Sequence, residues 1–191
     1  MTTRPTLTIV VEDQLDAAIL RSILNQTHSE GMRYYSAAGR LSPVTVGRNL
    51  LVHEKNPVLV VVDSDTLDPR QSADIASMAG ALLGAVAPET RFAVFAFVPE
   101  FEVIFFEAPS ALETLIGAPV SQETVREGLF TPRRTLEKLL ADGKAKLPYQ
   151  TLPIRLDRTS VSQLREGPQL KSLVRTVERM LHEEPVHSPH N

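Results

Sequence analysis

Two apolar runs that each close on carboxylates constrain this chain more than anything else in it. The first is Thr8-Ile9-Val10-Val11-Glu12, with Asp16 four residues on; the second is Val58-Leu59-Val60-Val61-Val62-Asp63-Ser64-Asp65. Both runs are rich in β-branched residues and have the length of strands buried on both faces, as in a parallel sheet. Ligands of open α/β sheets bind beyond the carboxyl ends of the strands. If the two strands are parallel neighbours, Glu12, Asp63 and Asp65 come together at that edge. Crowded carboxylates repel one another, and a hard divalent cation such as Mg²⁺ is the usual remedy. The plainer alternative is that Glu12 caps the following helix and the aspartates form a turn.

The rest of the chain fits a layered α/β reading. Residues 16–25 place Ile19, Leu20, Ile23 and Leu24 on one helical face. A short strand is expected over 32–37, a helix over 44–53, an Ala-rich helix over 72–86 and a strand over 92–98. This alternation predicts a Rossmann-like fold with a largely parallel central sheet and helices on both faces. Beyond Glu100 the pattern turns helical. Phe101 to Phe106 is apolar and aromatic, Ala111 to Ile116 continues as a helix stopped at Gly117 and Pro119, and Thr131-Pro132 opens a helix carrying Leu136, Leu139 and Leu140. Further helices are expected over 161–164 and 170–181. The organisation is therefore a core over 1–120, a helical C-terminal cap over 121–184 and a flexible tail over 185–191.

Composition narrows the function classes. The 191 residues contain no cysteine, which excludes disulfides, thiolate zinc sites and a cysteine nucleophile. No apolar run reaches the roughly 20 residues that span a bilayer, and no apolar signal segment precedes the first strand, so a cytoplasmic location is expected. The net charge of −3 is unevenly spread: residues 1–120 are acidic on balance and residues 121–191 basic. An acidic half able to hold metal, joined to a basic half able to hold phosphate, suits a nucleic-acid substrate. Modest imbalance between halves is also common in ordinary proteins.

Two further groups qualify for the same edge. Glu100 and Glu102 follow the strand over 92–98, and Glu102 sits between Phe101 and Val103, where a buried carboxylate needs a metal or an arginine. Glu102 is the preferred ligand and Glu100 the alternative. Arg133 and Arg134 fall in the first turn of a helix, the unfavourable end for a cation, which points to phosphate binding. The five histidines show no zinc-hydrolase spacing, and the chain has neither a phosphate-binding P-loop, a dinucleotide fingerprint nor a nucleophile elbow.

In order, Val10-Val11-Glu12-x-x-x-Asp16, Ala38-Gly39 and Val61-Val62-Asp63-Ser64-Asp65 resemble a TOPRIM domain, the metal-binding fold of topoisomerases, primases and OLD-type nucleases. Val98-Pro99-Glu100-Phe101-Glu102, Thr131-Pro132-Arg133-Arg134, Tyr149 and the C-terminal helices are similar to small stand-alone TOPRIM-like proteins found beside phage-defence ATPases. The resemblance implies a nuclease or related phosphoryl-transfer enzyme using Mg²⁺ or Mn²⁺. Glu12, Asp63 and Asp65 would be catalytic, with Glu102 and Asp16 as additional ligands. Arg133, Arg134 and Gly39 would contact nucleic acid. It also implies an ATPase partner, and a homo-oligomer is compatible with it.

One position departs from the pattern: Asp13 stands where the family usually has glycine. Glu12-Asp13 also resembles the acidic pair of a response-regulator receiver, in which Asp63 would accept phosphate. A receiver needs a Ser/Thr after its fourth strand and a Lys-Pro after its fifth, and this chain has Pro99-Glu100 and a late Lys146-Leu147-Pro148 instead. A non-catalytic TOPRIM-like binding or scaffold subunit is the remaining alternative.

Overall fold

A computed structural model describes residues 7–26, 31–37, 42–142 and 146–182. Gly39 and the tail over 185–191 lie outside the described residues. The first element is strand β1 (Leu7–Val11), followed by helix α1 (Gln14–Leu24). Strand β2 (Met32–Ser36), helix α2 (Pro43–His53), strand β3 (Val58–Asp63), helix α3 (Pro69–Gly84) and strand β4 (Phe92–Phe97) complete the α/β half. The four strands form one parallel sheet in the order β2-β1-β3-β4. The chain thus builds outward from β1 on one side, then crosses back to build on the other. The point of reversal, between β1 and β3, is where a ligand crevice opens in such sheets.

Alternation along the buried strands divides the core in two. Ile9, Val11, Leu59 and Val61 face a large cluster with α1 and the C-terminal helices, whereas Val10, Val58, Val60 and Val62 face α2 and α3. This two-sided burial explains why the strands read as unbroken apolar runs. Gly47 lets α2 lie close on the sheet, since a Cβ there would come within 2.5 Å of Val60 Cγ2.

After β4 come helices α4 (Val103–Glu107), α5 (Pro109–Ile116), α6 (Gln122–Phe130) and α7 (Pro132–Asp142). A 3-10 turn at Tyr149–Thr151 leads to α8 (Leu152–Arg155), α9 (Arg158–Leu164) and α10 (Pro168–His182). Gly117 ends α5 in the left-handed conformation (φ +67°), as expected of a glycine at a helix C-terminus. Helix α6 has no counterpart in the sequence reading, because its composition is largely polar and only Gly128 is buried in it. Gly128 lies flat on Phe106: a Cβ would sit 2.1 Å from Phe106 Cδ1.

The cap shares the core of the sheet. Leu136, Leu152, Leu164, Leu170 and Val177 belong to the same buried cluster as Ile9 and Leu59. Polar ties reinforce it. Gln169 of α10 accepts from Val98 N (2.8 Å) and donates to Val98 O (2.8 Å), pairing like a strand with the end of β4.

Candidate active site

The two acidic motifs meet at the crevice. Val10 lies beside Val60 in the β1–β3 register, so Glu12 and Asp63 emerge from the sheet at the same edge. The Asp63 backbone N–H faces the Glu12 carboxylate and favours its charged form. Asp63 is itself oriented from the other side: its Oδ1 accepts from Phe101 N at 2.8 Å. The next two residues fasten the turn to the end of β4 and to Pro99 beyond it, through Ser64 N to Phe97 O and Asp65 N to Pro99 O, both 2.9 Å. Asp65 takes a left-handed backbone (φ +50°), which aspartate tolerates better than most residues, and it is exposed.

Asp13, the residue in the glycine position, is the N-cap of α1. Its φ of −127° needs no glycine, and its Oδ1 accepts from Leu15 N (2.8 Å) and Asp16 N (2.9 Å). The Asp16 side chain returns a bond from Asp13 N (3.4 Å), completing a capping box with aspartate in the place usual for glutamate. This fixes Asp16 as a buried residue facing the carboxylate edge, yet its Oδ1 has no hydrogen-bond partner.

Behind the rim lies a second group. Glu102 is 1% exposed. Its Oε1 receives Arg133 Nε at 3.0 Å and the Tyr149 hydroxyl in a short hydrogen bond. Arg133 reaches on with Nη2 to Asp13 Oδ2 at 2.7 Å, while its backbone N–H donates to Glu100 Oε2 at 3.1 Å. One arginine thus joins α7, the Glu100–Glu102 segment and the cap of α1. Outward of it, a shallow cavity of about 410 Å³ is lined by Gln14, Glu137, Tyr149 and Gln150 among others.

Burial raises four carboxyls of the edge, those of Glu12, Asp16, Asp63 and Glu102. Burial, then repulsion by Glu12, Glu102 and Asp16, pushes Asp63 up to about 8, against the Phe101 N–H. Burial, then Asp13 and Glu102, pushes Asp16 up to about 7. Glu12 is also raised, by desolvation first and then by Asp65 and Asp13, partly opposed by the Asp63 N–H and Arg133. Burial raises Glu102 too, against the lowering effect of Tyr149 and Arg133. The edge is short of positive charge.

The donors suit a hard divalent cation: all are carboxylate oxygens, and the unpartnered buried oxygen of Asp16 faces the same edge. Among the described residues, however, no three acidic or histidine side chains are gathered closely enough to enclose an ion. The protein's own bonds account for this spread. Phe101 N–H holds Asp63, and Arg133 holds Asp13 and Glu102.

The structure therefore brings Glu12, Asp16, Asp63, Asp65, Glu102 and Arg133 to one edge. Arg134 is exposed and takes no part in the ion pairs of Arg133. Gly39 lies outside the described residues. Two residues at the site were not expected to act there, Asp13 and Tyr149. The available signal was the need of a buried Glu102 for donors, which the sequence could not assign to a residue 47 positions away.

No family model matches the chain, and no curated protein sequence does. Solved structures do. The C-terminal region of the Burkholderia pseudomallei OLD protein superposes with a TM-score of 0.56 over 93% of this chain and 98% of that one, at 14% identity. The fold is that of an OLD C-terminal region. The corresponding region of the Xanthomonas campestris pv. campestris OLD protein also aligns over 93% of this chain, with a TM-score of 0.41 and 12% identity. The TOPRIM-like, Rossmann-type architecture expected from the sequence is the one observed. Among the described residues no helix is long and apolar enough to cross a membrane.

Proposed function

We propose that this chain is a divalent-cation-dependent nuclease domain of the TOPRIM type, cleaving phosphodiester bonds of nucleic acid. The observation that supports the reading is the edge at the β1–β3 crevice, short of positive charge, to which the sheet brings Glu12, Asp63 and Asp65 and at which a buried Asp16 oxygen lacks a partner. Glu12, Asp63 and Asp65 would hold Mg²⁺ or Mn²⁺, with Asp16 beside them. The bound ion would supply charge stabilisation to the transferring phosphoryl group and a more acidic water.

This chain's own residues do the rest. Glu12, at the surface with a raised carboxyl, is placed to take a proton from an attacking water or hydroxyl. Asp63 is fixed by the Phe101 N–H, so it presents its second oxygen in a defined direction. Arg133, partly exposed above the carboxylates and beside the open cavity, is placed to neutralise a phosphate oxygen. Phosphoryl transfer depends on positioning and charge more than on covalent help, so a carboxylate edge of this kind needs no Cys, Ser or His nucleophile. A phage-defence setting, with an ATPase working beside the nuclease, is what the family resemblance implies and belongs to this proposal.

A non-catalytic binding role is the second reading, favoured by the spread of the carboxylates and by the bonds that hold them apart. The receiver reading lacks its fifth strand: among the described residues the sheet has four, and helices follow β4. The deciding experiment is a Mn²⁺-dependent cleavage assay on single- and double-stranded DNA and RNA, comparing wild type with Asp63→Asn. Cleavage by wild type that is lost in the variant supports the nuclease. Equal cleavage by both removes it, and binding of nucleic acid without cleavage moves the assignment to the binding role.

A further inference from the structure

We infer that the Arg133 guanidinium is a resident cation of the inner carboxylate pocket, and that it excludes a second divalent ion from Glu102. The count of ions rests on the metal reading proposed above; the resident-cation role does not.

The geometry at Glu102 carries the inference. The side chain is 1% exposed and has its Oε1 engaged by both Arg133 Nε (3.0 Å) and the Tyr149 hydroxyl. The guanidinium is anchored at its far side by Asp13 Oδ2 (2.7 Å). It is held at its root as well, because Arg133 N donates to Glu100 Oε2 (3.1 Å) and the preceding Pro132 is buried in the first turn of α7. A planar cation tied at two points, on a residue whose backbone is anchored at a third, does not swing aside easily, and Tyr149 flanks it with its ring centroid 6.0 Å from the guanidinium carbon.

A divalent ion ligated by Glu102 would have to share the carboxylate whose Oε1 already receives two donors. It would also stand directly against a fixed positive charge. The outer rim has no such occupant: Arg133 bonds to Asp13 and Glu102, and none of the described ion pairs engages Glu12, Asp63 or Asp65. Asp13 therefore has a purpose that glycine could not serve, since it supplies the second carboxylate that keeps the guanidinium in place. The structure thus divides one acidic edge into a rim open to a single ion and an interior neutralised by the protein.

The test uses the full chain in two measurements. The first is thermal melting in EDTA of wild type, Arg133→Met and Arg133→Met/Glu102→Gln. Removing the guanidinium alone leaves Glu102 buried without its cation, so the single variant should melt roughly 5–10 °C lower. The double variant should recover most of that loss, because the uncompensated charge is gone. A single variant that melts with wild type, or a loss that Glu102→Gln does not recover, would overturn the resident-cation role.

The second measurement counts bound Mn²⁺ by electron paramagnetic resonance. One ion on wild type and two on Arg133→Met would support the exclusion. Two ions on wild type, or a count of one that stays at one in Arg133→Met, would overturn it. No ion on either protein, with the melting pattern intact, would keep Arg133 as the resident cation and remove the metal reading instead.

Discussion

The outer rim and the inner pocket of this site are built from the same chemical group and are handled in opposite ways. At Glu102 the fold supplies a phenol, a guanidinium and a burial that excludes water. At Asp63, only a short distance away, it supplies one backbone N–H and leaves the repulsion from Glu12, Glu102 and Asp16 standing. A carboxylate neutralised by its own protein is a structural element. One held against its neighbours without a counter-charge is a site waiting for a ligand. The contrast lies in the partners: Glu102 has two side-chain donors, whereas Asp63 has one backbone N–H.

The largest effect should come from breaking the rim. Asp63→Asn removes a charge that the folded chain disfavours, so it should cost about 10³-fold or more in cleavage while the metal-free melting temperature holds or rises. A variant that loses activity by unfolding would place Asp63 among the structural carboxylates instead. Tyr149→Phe acts on the other side of the comparison. It leaves buried Glu102 short of a donor and should destabilise by about 1–3 kcal/mol in denaturant titrations with EDTA present.

The pH dependence sharpens the contrast further. Asp63 titrates near 8 and Asp16 near 7 in the folded chain, whereas unfolded aspartates titrate near 4. Between those values the folded chain binds more protons than the unfolded one, so metal-free stability should fall as pH rises from about 4 to about 8 and level off above that. Melts across this range in EDTA should show the decline, and Asp63→Asn should flatten it. A stability that climbs with pH would mean that the rim is compensated after all.

Asp13→Ala should be the mildest change, about 1 kcal/mol from loss of the α1 cap, because its ion pair with Arg133 is partly exposed and screened. Its sharper consequence is a looser Arg133, visible as faster exchange of the guanidinium protons in NMR spectra.

The range of each interaction decided how much of this was legible in the sequence. The strands announced themselves because burial on both faces makes them apolar throughout, and the αβ alternation then dictated a parallel sheet. Glu12, Asp63 and Asp65 could be placed at one edge because a strand end is a local property and the sheet does the rest. Helix α6 is not legible in the sequence because, of its residues, only Gly128 is buried. The inner pocket was half legible. A glutamate among phenylalanines demanded a partner, and an arginine in a first helical turn was out of place, but nothing local to either said that they satisfy each other. Asp13 read as an anomaly in a motif, whereas in the fold it caps a helix and holds an arginine at once.

Calorimetric Mn²⁺ titration of wild type beside Asp63→Asn/Asp65→Asn and Glu102→Gln tells whether the rim or the interior is the cation site. Wild type should show saturable binding that is abolished in the rim variant and retained in Glu102→Gln. Binding that survives loss of both aspartates, or that vanishes with Glu102, would contradict the rim site.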